Sequence, residues 1–111
     1  MPIIAVNISP AKNMENTQTA QYVSDGVTTI IDKFTATNFS SGMVNVSVNL
    51  TVAGTAAGNS NLIVKTRALQ PGETYTFPEI VGHILPSGGI VSTLASAAAA
   101  VNLRASGREI S

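Results

Sequence analysis

The stretch MVNVSVNLTVA, Met43 to Ala53, decides the fold class. Val44, Val46, Val48, Leu50 and Val52 alternate with Asn45, Ser47, Asn49 and Thr51. Successive side chains on an extended chain point to opposite faces, so one face is wholly aliphatic and the other polar and uncharged. A helix would spread both sets around its circumference. The stretch therefore reads as a half-buried strand, and the chain as mainly β.

Working outward, the same kind of signal recurs at roughly ten-residue spacing. Upstream, Pro2 to Ser9 carries Ile3, Ile4, Val6 and Ile8 and reads as a first strand or an extended arm. Ser9 to Gln21 is polar and reads as a loop. Residues 1–20 are therefore set apart as an N-terminal strand or arm, and 21–111 as the β-sandwich domain. Gln21 to Ser24 is a short strand, and Asp25-Gly26 is a two-residue hairpin signal. In the return strand, Val27 to Asn38, the spacing puts Ile30, Phe34 and Ala36 on one face and Ile31 and Lys33 on the other. Strict alternation fails near Asp32, which points to a bulge or a sheet edge.

Downstream of Ala53, Gly54 to Asn61 is a glycine-containing loop and Leu62 to Leu69 a strand with Lys65 and Arg67 on one face. Gln70 to Glu73 contains Pro71-Gly72, a turn signal. The next strand, Glu73 to Phe77, places Tyr75 and Phe77 together. At Pro78 the period changes. Ile80, Val81, Ile84 and Leu85 recur at helical spacing behind a proline suited to a first helical position, which predicts one short helical turn over 78–85. Ile90 to Ser96 and Ala100 to Ile110 are two further strands, with Ala97 to Ala100 predicted as their hairpin connection. Seven to eight short strands of this kind predict an all-β sandwich or jelly roll.

The totals fit one domain of 111 residues, 44% hydrophobic but only 11% charged, with net charge zero. Soluble domains are usually about 25% charged. Such a weakly repelling surface suits a subunit of a permanent assembly. Lys and Arg do not cluster, so no basic footprint for nucleic acid is present. Cysteine is absent, which removes thiolate metal sites and disulfides. The first residues read as no secretion signal, and no apolar run reaches the ~18 residues of a membrane span.

Catalytic chemistry finds few candidates. His83 is the only histidine, which excludes a multi-histidine zinc site. Glu15, Asp25, Asp32, Glu73, Glu79 and Glu109 are scattered, with no pair spaced for acid–base work. Gly54 to Gly58 lacks the Lys-Ser/Thr of a phosphate-binding loop. Asn-X-Ser/Thr triplets such as those at Asn38, Asn45 and Asn49 are expected by chance in so Asn-, Ser- and Thr-rich a chain. The expectation is a non-enzyme without cofactor or metal. On a strand, Arg104 and Arg108 share a face opposite Leu103 and Ala105, suited to acidic groups of a neighbour. The candidate partner-contacting residues are Ile3, Ile4, Lys12, Lys65, Arg67, Arg104 and Arg108.

Three stretches carry a resemblance: Ile31 to Asn38, IDKFTATN; Asn61 to Leu85, NLIVKTRALQPGETYTFPEIVGHIL; and the run ending in Leu103 to Ile110, LRASGREI. Together they resemble small β-sandwich virion structural proteins of tailed bacteriophages. The resemblance implies assembly into a particle, as a capsid decoration or cement subunit bound to the major capsid protein, or as a neck, collar or tail component. It implies virion localisation after synthesis in the host cytoplasm, contact with other virion proteins, homo-oligomerisation, and neither nucleic-acid nor membrane binding. It carries no catalytic residue. A carbohydrate- or ligand-binding sandwich is the expectation of another class, weakened by the absence of tryptophan and the scarcity of tyrosine.

Overall fold

The computed structural model describes residues 2–111. The strands, in chain order, are β1 (Ile3–Asn13), β2 (Thr19–Val23), β3 (Thr28–Asn38), β4 (Val44–Thr51), β5 (Leu62–Leu69), β6 (Thr74–Tyr75), β7 (Ile84–Leu85), β8 (Ile90–Ala95) and β9 (Val101–Ile110). They form two antiparallel sheets packed as a sandwich. One runs β1-β9-β3-β6, with β7 also on β3; the other runs β2-β8-β4-β5. Because Tyr75 pairs with Ala36 and Ile84 with Ile30, β6 and β7 lie end to end on β3 and act as one interrupted strand.

The pairing is nested: β1 with β9, β2 with β8, β3 with β6 and β7, β4 with β5. This is one long hairpin rolled so that successive pairs fall in alternate sheets, the jelly-roll order. The tip of that hairpin is the β4–β5 loop, where a single 3-10 turn, Asn59–Asn61, follows Gly58. The strand predicted over 43–53 is β4, with Val44, Val46 and Val48 buried in the core.

The nesting corrects two expectations. Asp25-Gly26 does not join a hairpin, because β2 pairs with β8 and β3 with β9. Ala97 to Ala100 likewise carries the chain from β8 in one sheet to β9 in the other. A tight turn can link sheets as readily as neighbouring strands, and its residues do not record which.

The predicted helical turn over 78–85 becomes a run of hydrogen-bonded turns rather than a helix. Ile80 N–H donates to the Phe77 carbonyl at 3.0 Å, and Val81 N–H to the same oxygen at 3.4 Å. The chain then returns to the sheet: Gly82 N–H donates to the Ile31 carbonyl, and Ile31 N–H to the His83 carbonyl. The β3 ladder takes Ile84 and Leu85, and only Ile80 and Leu85 of the four apolar residues are buried.

A bulge sits where alternation failed in β3. The register with β9 shifts between Ile31 and Lys33. One extra residue reverses the phase, so Ile31, not Ile30, joins Phe34 and Ala36 inside. A second bulge interrupts β5, where Val64 opposes Val48 but Arg67 opposes Val46. Thr66 there has φ of +48°, and its amide donates to the Ser47 hydroxyl at 2.8 Å.

Phe34 and Phe77 meet edge to face at a centroid distance of 5.1 Å, and Tyr75 abuts Phe77 at 4.7 Å. Around them Ile31, Val46, Val48, Leu69, Val91, Val101 and Leu103 are fully or almost fully buried. Met14 is buried too, and its amide donates to the Val101 carbonyl, so the chain leaving β1 is anchored. Among the described residues, buried polar side-chain atoms are paired, the Thr51 hydroxyl excepted. Asn38 donates to the carbonyls of Gly42 and Leu69 and accepts from the Ser40 amide and hydroxyl, which fixes the β3–β4 crossing.

Candidate partner-contacting surfaces

On the five-stranded sheet, register determines which side chains share the outer face. Ala5, Arg108, Ile30 and Ile84 lie in one row across β1, β9, β3 and β7, and Ile3, Ile110 and Thr28 in the next. One end of this face therefore carries four isoleucines, with Arg108 set among them. Ile3 and Ile84 are 62% and 63% exposed, with Ile30 and Ile110 half-buried between them. Further along, Asn7, Ser106 and Lys33 form a polar row, followed by Arg104 beside Thr35 and then by Thr37 and Thr74, whose hydroxyls meet at 2.8 Å.

Arg104 and Arg108 do share this outer face, opposite buried Leu103 and Ala105. Their situations differ. Arg108 grips Asp32, at the β3 bulge, through Nε at 3.0 Å and Nη2 at 2.9 Å. The guanidinium hydrogen bonds hold the Asp32 carboxyl below the usual carboxylate range and raise Arg108 in return. Arg104 is exposed and, among the described residues, makes no ion pair.

The other candidates divide the same way. Lys12 pairs with Glu15 at 2.8 Å, and Gln21 donates to the same carboxylate; these bonds, Lys12 first, lower the Glu15 pKa and tie the end of β1 to β2. Arg67 lies 4.0 Å over the Tyr75 ring, a cation–π contact between the edges of the two sheets. The Tyr75 hydroxyl donates to Glu79 at 2.6 Å, which lowers the carboxyl and raises the phenol. Lys65 is exposed and makes no ion pair among the described residues. Ile4 is 55% exposed although it pairs with Glu109, because it stands at the sheet's outer edge.

The polar face of β4 is not the open exterior its composition suggests. Asn49 and Thr51 are almost wholly buried, and Ser47 nearly so. The β4–β5 loop covers Asn49, whose amide donates to the Gly58 carbonyl at 2.9 Å and to Asn61 Oδ1 at 2.6 Å. What stays open is a shallow groove of about 230 Å³ involving Gln18, Ser47, Asn49, Lys65, Thr66 and Leu94. Gln18 spans it, donating to Ser92 Oγ at 2.7 Å.

At the end of the sandwich near the chain termini, the Tyr22 hydroxyl bonds Thr29 Oγ1 at 2.7 Å and donates to Glu109, while Ser24 Oγ meets Thr29 Oγ1 at 2.8 Å. Burial and then the Glu109 contact push the Tyr22 phenol up. This chain links β2 to β3 and β9. It holds hydroxyls and one carboxylate, without an imidazole or a second carboxylate. His83 is exposed, in the turn before β7. Among the described residues no group of three or more His, Asp or Glu is placed to hold a metal, and no helix is long and apolar enough to cross a membrane.

Sequence reasoning missed Ile30, Ile84 and Ile110 as parts of one surface. Their only signal is apolar character at positions that a register would bring together, and register between strands so far apart is not written locally. Comparison with protein-family models, with curated proteins and with solved structures finds no match.

Proposed function

We propose that this chain is a structural subunit of a bacteriophage particle, a decoration or cement protein that binds the outer capsid and bridges neighbouring capsid subunits. The observation that carries the reading is the outer face of the five-stranded sheet. Exposed Ile3 and Ile84 flank an isoleucine-rich end, and unpaired Arg104 stands further along the same rigid surface. A contiguous apolar area beside polar groups is how docking surfaces are built. The resemblance of the Ile31, Asn61 and Leu103 stretches to virion proteins supports the particle as its setting. Jelly rolls serve as capsid modules and also as lectins and enzymes, so the fold by itself selects none of these.

Quantitative mass spectrometry of purified particles tests the proposal. Hundreds of copies per particle support a capsid role. A count of about six to twelve, as a closed ring demands, favours the neck or tail component instead. Absence from particles overturns both. A carbohydrate-binding role has one observation in its favour, the amide- and hydroxyl-lined groove at Gln18, Ser47 and Asn49. No aromatic side chain lines that groove, and a glycan array without binding would dispose of it.

A further inference from the structure

A sheet edge presents unpaired amides and carbonyls to any second strand, and proteins usually guard such edges with bulges, charges or short strands. Three of the four edges here are guarded. β5 carries Lys65 and Arg67 and is broken by the bulge at Thr66. β2 has five residues and a register shift at Gln21. The β6–β7 edge is interrupted by residues 76–83. The fourth edge, β1, is irregular only beyond Asn7. Its first five residues, Ile3-Ile4-Ala5-Val6-Asn7, pair with β9 without a shift, carry no charge, and keep Ile3 and Ile4 more than half exposed.

Which groups point outward follows from the ladder. Ser111 N–H donates to the Pro2 carbonyl, so Pro2 faces β9. In an antiparallel pair the bonded positions alternate. Ile4 and Val6 therefore also bond β9, and Ile3, Ala5 and Asn7 turn their amides and carbonyls to the free edge. The β3 side agrees: with β9's alternate residues bonded to β3, Ile31 must face away, and it bonds Gly82 and His83.

We propose that the Ile3–Asn7 edge is a homodimer contact, in which β1 of one copy pairs antiparallel with β1 of a second copy about a two-fold axis at Ala5. Antiparallel pairing keeps the outer faces of both five-stranded sheets on one side and makes the contact self-complementary. Ala5 then exchanges both hydrogen bonds with its own counterpart, and Ile3 does so with Asn7 of the second copy. Ile4 gains the second copy's Val6 as its neighbour, which covers an aliphatic side chain that the single chain leaves exposed at its edge. A self-pairing edge must avoid like charges facing each other, and this one holds none. The outer-face row at Ala5 continues across the axis into Ala5 and Arg108 of the second copy, and the aliphatic row at Ile3 meets the second copy's polar row at Asn7. The contact goes beyond the virion reading and does not rest on it.

The test uses the whole chain in solution. Sedimentation equilibrium is expected to give twice the 11.4 kDa mass of the monomer. Ala5→Pro removes only the outward donor and leaves the β9 ladder intact, since proline is tolerated where its nitrogen faces away from the sheet. It should weaken the dimer at least about tenfold. Ala5→Lys, which sets two ammonium groups face to face on the axis, should do the same, while Asn59→Lys at the distant loop tip should not. Circular dichroism monitors folding. Should Ala5→Pro fail to fold, Ala5→Cys decides. Bonded antiparallel partners have Cα atoms roughly 5.5 Å apart, within disulfide reach, and the chain has no other cysteine. Rapid oxidative cross-linking at position 5 but not in Thr19→Cys supports the contact. A monomer at about millimolar concentration, an oligomer that survives both Ala5→Pro and Ala5→Lys, or no cross-link at position 5 overturns it. Particle copy number is measured separately, so the two proposals fail independently.

Discussion

Two residues show how tightly the packing constrains side-chain choice. Gly107 lies on β9 between Val6 of β1 and Ile31 of β3. A Cβ there would run into the Ile30 carbonyl oxygen and the Ile8 side chain. Backbone cannot give way as a flexible side chain can, so Gly107→Ala should cost more than about 2 kcal/mol, read as a lower urea midpoint at unchanged slope. Thr51 presents the opposite case. Its hydroxyl is buried and has no hydrogen-bond partner. Thr51→Val keeps the shape and removes an unsatisfied group, which should raise stability by about 1 kcal/mol in the same titration.

At the scale of elements, bulges decide what the strands present. The β3 bulge turns Ile31 inward and leaves Asp32 where Arg108 can hold it. That pair gives a pH dependence with a definite sign. The Asp32 carboxyl is lowered in the folded chain, so its contribution is present above the ordinary carboxylate value of about 4 and fades as pH falls through the lowered folded value. Both groups are well exposed, so the effect is modest. Asp32→Asn and Arg108→Gln should each give a shallower loss of stability between neutral pH and pH 3, measured by urea titration at several pH values.

The same elements mark the boundary of what the sequence discloses. The alternation of β4, the Pro71-Gly72 turn and the interruption at Asp32 are local properties, and each has its counterpart in the structure. The partition of strands between sheets is not local. Asp25-Gly26 and Ala97 to Ala100 turn the chain as any hairpin loop would, yet each delivers it to the opposite sheet. The shared face of Arg104 and Arg108 follows from period two alone. The row Ala5, Arg108, Ile30 and Ile84 joins four separate strands, and the burial of Asn49 depends on a loop folding back over β4. No window of sequence contains either relation.

For the whole molecule, nesting sets the folding kinetics. Apart from the β4–β5 hairpin, the sheet pairings join strands far apart in the chain, and the outermost joins residue 3 to residue 110. Loop closure must precede the contacts that reward it, so refolding should fall in the millisecond-to-second range, as stopped-flow fluorescence of Tyr22 and Tyr75 would record.

The Pro2–Ser111 hydrogen bond holds the two ends of the described chain side by side. A short glycine linker could join them, with new ends cut between Thr55 and Ala56 in the exposed loop at the opposite limit of the nest. Such a circular permutant should keep both sheets while turning the most distant pairing, β1 with β9, into a neighbouring hairpin and making β4–β5 the most distant one. The rolled ladder has no privileged starting point in space; only the position of the chain break says which pair must find each other last.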